Sequence, residues 1–97
     1  MNTLLDRFKR RMKISHSIED ETLQELLNSS IRAVKSACGD FDIEENESAV
    51  ELVIERTRYV YNDALEFFDD NFSSRVTSLA LDILSSSTDV VEVVAND

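Results

Sequence analysis

Apolar residues recur along most of this chain at three- and four-residue steps, the pattern of helices that bury one face. Leu4, Leu5, Phe8 and Met12 predict a short amphipathic helix over residues 3–12. Ile14-Ser15-His16-Ser17 interrupts the pattern, and Ser17, with Asp20 three positions on, is the expected N-cap of a second helix. Leu23, Leu26, Leu27, Ile31, Val34 and Cys38 carry that helix to Cys38, where Gly39 is expected to turn left-handed and stop it. An acidic link from Asp40 to Glu45 leads to a third helix, capped by Asn46 or Ser48 and expected to reach Phe68. Its stripe is Ala49, Val50, Val53, Thr57, Val60, Tyr61, Ala64 and Phe68. Asp69-Asp70-Asn71 reads as a turn, after which Ser73 or Ser74 opens a fourth helix on Val76, Leu79, Ala80, Ile83 and Leu84.

The predicted fold is therefore all-α: a small bundle of about four helices, with a short N-terminal helix, two long central ones and a short C-terminal one. Residues 1–84 make one helical domain, and residues 85–97 a flexible or strand-forming tail that begins at Ser85-Ser86-Ser87. The valines of Asp89-Val90-Val91-Glu92-Val93-Val94 favour a strand, which needs a partner to pair with. Composition strengthens the helical reading. The chain has no proline and one glycine, whereas antiparallel sheets need many turns built from both.

Some apolar residues remain after the core is assigned. At about 100° per residue, Leu52 and Tyr59 fall on the far side of the third helix, beside Arg56 and Asp63. Leu81 lies off the fourth stripe, and Ile18 and the tail valines lie off any stripe. Single exposed apolar residues are ordinary, but several together suggest area held for a partner. Leu52, Arg56, Tyr59, Asp63, Leu81, Val91 and Val93 are the candidate interface.

Charge adds an asymmetry. Twenty acidic residues against ten basic ones give a net charge of −10, the wrong sign for a general nucleic-acid binder. Yet residues 1–13 hold Arg7, Lys9, Arg10, Arg11 and Lys13 against Asp6 alone. This basic arm is expected to contact an acidic protein surface, which a neighbouring copy can supply, with DNA as the other option. Nothing approaches the run of about 18 apolar residues that a membrane span requires, so a soluble, cytoplasmic protein without membrane contact is expected.

Material for catalysis is scarce. The single histidine, His16, sits in a linker, and the single cysteine, Cys38, lies on an apolar stripe as a small hydrophobe would. Glu51 and Glu55 are one turn apart, as are Glu66 and Asp70, a spacing that usually marks a solvated face. Asp40 to Glu47 lacks the spacing and central glycine of a calcium loop, and one glycine cannot build a phosphate-cradling loop. No enzyme activity, metal or cofactor is expected.

The order of elements resembles the small head–tail connector proteins of tailed phages, the gp6-like connectors or DNA packaging proteins. The resemblance spans roughly residues 3–84 and rests on degenerate patterns. Met12-Lys13-Ile14 is followed by the acidic helix start Ser17-Ile18-Glu19-Asp20-Glu21. A Leu-x-x-Leu-Leu helix runs from Leu23 to Leu27 and on through Ile31 and Ala33. Arg58-Tyr59-Val60-Tyr61-Asn62 matches the aromatic third helix, and Val76-Thr77-Ser78-Leu79 the last. Family members often carry a proline before the third or fourth helix, which is missing here.

The resemblance implies a structural virion protein at the head–tail junction, made in the host cytoplasm. Copies would form a ring, dodecameric on the portal, that extends the DNA channel and docks the next connector or a tail-completion protein. DNA would pass through without specific binding, past an acidic wall that does not hold it. Leu52, Tyr59 and Leu81 would then lie between subunits. The competing expectation, from charge alone, is an acidic helical regulator that covers a basic nucleic-acid-binding surface.

Overall fold

The computed structural model describes residues 3–87, and these form an all-α bundle of four helices. The helices are α1 (Leu4–Met12), α2 (Asp20–Cys38), α3 (Glu47–Tyr61) and α4 (Phe68–Ser87), with a single 3-10 turn, Leu65–Phe67, leading into α4.

Local chemistry sets most of the boundaries. Thr3 and Asp6 form a capping box: the Thr3 hydroxyl accepts from the Asp6 N–H at 3.1 Å, and the Asp6 carboxylate accepts from the Thr3 N–H at 3.5 Å. α1 ends where Lys13 turns left-handed at φ 61°, and the next amide, of Ile14, donates back to the Lys9 carbonyl at 2.8 Å. At the start of α2 the expected Ser17 cap is not used. Glu19 holds the cap position without a side-chain hydrogen bond, and Asp20 and Glu21 bring negative charge to the first turn.

Gly39 does stop α2, but not in the left-handed helical well. Its φ of 106° and ψ of 172° lie in an extended mirror region that essentially only glycine occupies. A Cβ there would also stand 3.0 Å from Ile83 Cγ2 of α4. The chain's one glycine thus ends a helix and lets the far end of α4 approach.

The acidic link between α2 and α3 is folded down. Phe41 and Ile43 are packed against the core, and the Lys35 ammonium lies 5.4 Å from the Phe41 ring centroid. The Asp42 carboxylate accepts from the Glu44 N–H at 2.9 Å, and Asn46 caps α3 by accepting from the Ala49 N–H at 3.0 Å.

α3 and α4 depart most from the sequence expectation. α3 ends at Tyr61, seven residues early, and the chain reverses through Asn62 and Asp63, the latter at φ 57°. Asparagine and aspartate tolerate this left-handed conformation better than most residues. Asp69-Asp70-Asn71, read as a turn, is the acidic first turn of α4. α4 is therefore no short helix: at twenty residues it is the longest of the four, and it takes in Ser85-Ser86-Ser87, where a tail was expected.

Its length puts α4 back along α3. Near the reversal, Tyr59 meets Phe68 and Phe72 edge-on at 5.8 and 5.5 Å, and the two phenylalanines stack at 4.9 Å. At the other end, Ser48 and Leu52 of α3 share a groove with Ser78, Leu79 and Asp82 of α4. α2 and α3 each pack against every other helix, and together they form the centre of the bundle, while α1 and α4 do not pack on each other. The core gathers Phe8, Leu23, Leu27, Val34, Cys38, Ala49, Val50, Leu52, Val53, Ile54, Phe68 and Leu79.

One polar seam crosses that core. Ser30 and Thr57 are both fully buried, with hydroxyl oxygens 2.8 Å apart. Thr57 is also 2.8 Å from the Val53 carbonyl, which only accepts, so its single proton goes there and Ser30 donates to Thr57. Arg56 Nη1 in turn donates to Ser30 at 3.1 Å. Among the described residues no buried side-chain nitrogen or oxygen lacks a partner.

Candidate interaction surfaces

Two groups of residues singled out from the sequence have very different fates. The first is the basic arm, which is α1 and its C-terminal residue Lys13. Its apolar residues, Leu4, Leu5, Phe8 and Met12, pack against the body, with Phe8 fully buried and edge-on to Tyr61 at 6.3 Å. That docking turns the opposite edge of the helix along an acidic row on α3.

Arg7 reaches Glu47 at 2.5 Å and Glu51 at 3.6 Å. One turn later Arg11 reaches Glu51 at 3.0 Å and Glu55 at 2.5 Å. On the α2 side, Lys9 Nζ donates to Asp20 at 2.6 Å. The four-residue spacing of Arg7 and Arg11 matches that of Glu47, Glu51 and Glu55, so two helical repeats run in register. Arg10 and Lys13 are exposed.

For Arg7, Lys9 and Arg11 the acidic surface they meet in this structure belongs to their own chain. Glu51 and Glu55, read from the sequence as a solvated face, are the acceptors, and Glu55 is nearly buried. Its carboxylate also accepts from Arg58 Nε and Nη2 at 3.1 and 2.9 Å, so two guanidiniums compensate its lost hydration. The sequence held the signal, i, i+4 cations opposite i, i+4 acids, but not which helices would meet.

Electrostatics follows the geometry. The Arg7 guanidinium, by hydrogen bond and charge, holds the Glu47 carboxyl below its ordinary 4.5, and Glu47 raises Arg7 in return. Burial pushes the Cys38 thiol up, and its Sγ lies 3.5 Å from the Val76 carbonyl oxygen. Burial, followed by the charge of Glu19, raises the Tyr61 hydroxyl.

The second group, the candidate interface, is broken up by the fold. Leu52 is only 1% exposed, a core residue and not surplus. Tyr59 is half-buried in the aromatic cluster, and its hydroxyl accepts from Asn71 Nδ2 at 2.9 Å. Both corrections have one cause: α4 starts early enough to cover that side of α3. Arg56 is held by Ser30, and Asp63 forms the exposed turn. Leu81 does remain outside, at 59% exposure. Val91 and Val93 lie outside the described residues.

Other apolar side chains join Leu81 at the surface. Leu84 is exposed one turn further along α4, Leu65 and Phe67 are exposed in the 3-10 turn, and Ile18 stands out between α1 and α2. Beside the 3-10 turn, Ala33, Val34, Ala37, Cys38, Leu65, Phe68 and Val76 line a groove of about 260 Å³, with Arg56 and Asp69 at its edge. That is small beside the roughly 300–1,000 Å³ of typical small-molecule sites. Among the described residues no group of histidine, cysteine or carboxylate side chains is placed to hold a metal, and no helix is long and apolar enough to cross a membrane.

No known protein family, curated protein or solved structure matches this chain.

Proposed function

We propose that this protein is a structural subunit of the head–tail connector type, assembling as a ring with copies of itself on a phage portal and joining it to the next connector or tail component. It performs no catalysis and takes no cofactor. The observation that carries the reading is a set of exposed apolar side chains among the described residues: Leu65 and Phe67 in the turn that leads into α4, and Leu81 on α4 itself. The order of elements, with its Leu-x-x-Leu-Leu second helix and aromatic third, supports the same reading. An acidic surface suits a channel that DNA slides through, because like charge keeps the duplex from sticking. Light scattering behind size exclusion, with microscopy of the heavy fraction, tests it. Closed rings are expected at high protein concentration or on a cognate portal; a monomer under both conditions overturns the proposal.

A second reading, an acidic regulator that covers a basic nucleic-acid-binding surface, is favoured by one feature. Arg7, Lys9 and Arg11 are paired inside the molecule, which leaves the outward field dominated by carboxylates. It predicts a monomer or dimer that competes with DNA for its target.

A further inference from the structure

We propose that α1 is an exchangeable arm: in the assembled protein it leaves its own body and docks on α2 and α3 of a second copy. The inference rests on the reading that copies of this chain associate.

Three observations carry it. First, among the helices of the described residues α1 packs only against α2 and α3, so the arm and its receptor are separable units. Phe8 enters the core, and Arg7, Arg11 and Lys9 pair with Glu47, Glu51, Glu55 and Asp20. Another copy's arm meets the same receptor with the same side chains, so exchange forfeits none of these contacts.

Second, the link between arm and body is built to open. The seven residues Lys13–Glu19 span about 23 Å when extended. They are closed by a turn at Lys13, whose φ of 61° is a backbone conformation that side chains with a Cβ adopt at a cost. Opening relieves it.

Third, beyond Ile14, which packs against the core, the closed form makes little use of the link. Ser15, His16 and Ser17 are exposed, and Ile18 is 87% exposed, the most exposed large apolar side chain among the described residues. An opened link laid along a neighbour gives Ile18 a surface to cover.

Exchange from each copy to the next is a head-to-tail contact, the kind that closes into a ring. Proximity within a ring also raises the local concentration of each neighbour's arm, so that exchange competes with closure.

The test uses the unaltered chain. Light and nitrogen-15-labelled protein are mixed in equal amounts, unfolded and refolded together, concentrated, and treated with a water-soluble carbodiimide. The reagent joins Lys9 to Asp20 as an amide because their atoms stand 2.6 Å apart. The assembled and monomeric fractions are then separated and the Lys9–Asp20 peptides weighed. Light–heavy hybrids near the one-half of random pairing are expected in the assembled fraction, and essentially none in the monomer. An assembly whose Lys9–Asp20 links are all light–light or heavy–heavy overturns arm exchange and leaves the connector reading standing. Absence of any assembly, alone or on a portal, overturns both.

Discussion

Arg11 and Glu55 meet at 2.5 Å across the α1–α3 contact although forty-four positions separate them in the chain. Glu55 is the more buried of the two, its side chain 11% exposed against 37%, and Arg58 grips the same carboxylate from within α3. The pair therefore ties a surface helix to the centre of the bundle through a charge that is costly to leave alone.

Replacing Glu55 by alanine removes the shared acceptor of Arg11 and Arg58, leaving Arg11 with Glu51 alone, and is expected to cost about 1–3 kcal/mol. Arg11→Ala leaves Glu55 with Arg58 and costs less. Denaturant unfolding of the two variants gives the order; equal losses would mean Arg58 does not compensate.

The Arg7–Glu47 pair makes α1 docking depend on pH. The Glu47 carboxyl is depressed below 4.5 in the folded chain, so its contribution is fully present above that value and is lost as pH falls through the lower folded value. Amide protection along α1 should fade over that window sooner than protection in α2. A Glu47 carboxyl titrating at the ordinary value in carbon-detected NMR would exclude this latch.

Leu52 and Tyr59 belong to the fold, and truncating them should destabilise it. Leu52→Ala is expected to cost about 2–5 kcal/mol, as for other buried leucines, with Tyr59→Ala adding the loss of its two edge-on contacts. Thermal melts of the single and double variants check this. An unchanged melting temperature would put Leu52 back on the surface.

The Ser30–Thr57 seam should show strong non-additivity. Ser30→Ala or Thr57→Val alone leaves polar atoms underused inside the α2–α3 contact, at about 1–2 kcal/mol each. The double variant removes both and should lose less than the sum, measured as a double-mutant cycle. Additive losses would mean the two hydroxyls do not cooperate.

Leu81, by contrast, is free of the core. Leu81→Lys should move stability by no more than about 0.5 kcal/mol, the range of ordinary surface changes. Assembly, followed by light scattering, should weaken. Undiminished assembly would remove this face of α4 from the subunit contact.

Much of this arrangement was legible along the chain. The stripes of α1 and α2 are legible because their apolar steps are regular, and Gly39 marks the end of α2 by local chemistry, although α2 starts at Asp20, past the expected Ser17 cap. The cap of α3 was legible to within two candidates, Asn46 and Ser48, of which Asn46 is used. The end of α3 was not. The apolar stripe continues through Ala64 to Phe68, and the reversal rests on Asn62 and Asp63, a turn without glycine or proline. Periodicity gives the phase of a helix but does not register a break that the next helix inherits.

The sequence by itself determined that the protein is helical, acidic and armed with a basic first helix, since each is a property of residue type and spacing. Tertiary structure alone decided where those properties are directed. Leu52 is core and Tyr59 half-buried because α4 lies back over them, and the cations of the arm meet Glu47, Glu51 and Glu55 because Phe8 docks α1 on the body. Burial and pairing join residues tens of positions apart, and only the packing of one helix on another selects which of many charged or apolar faces meet.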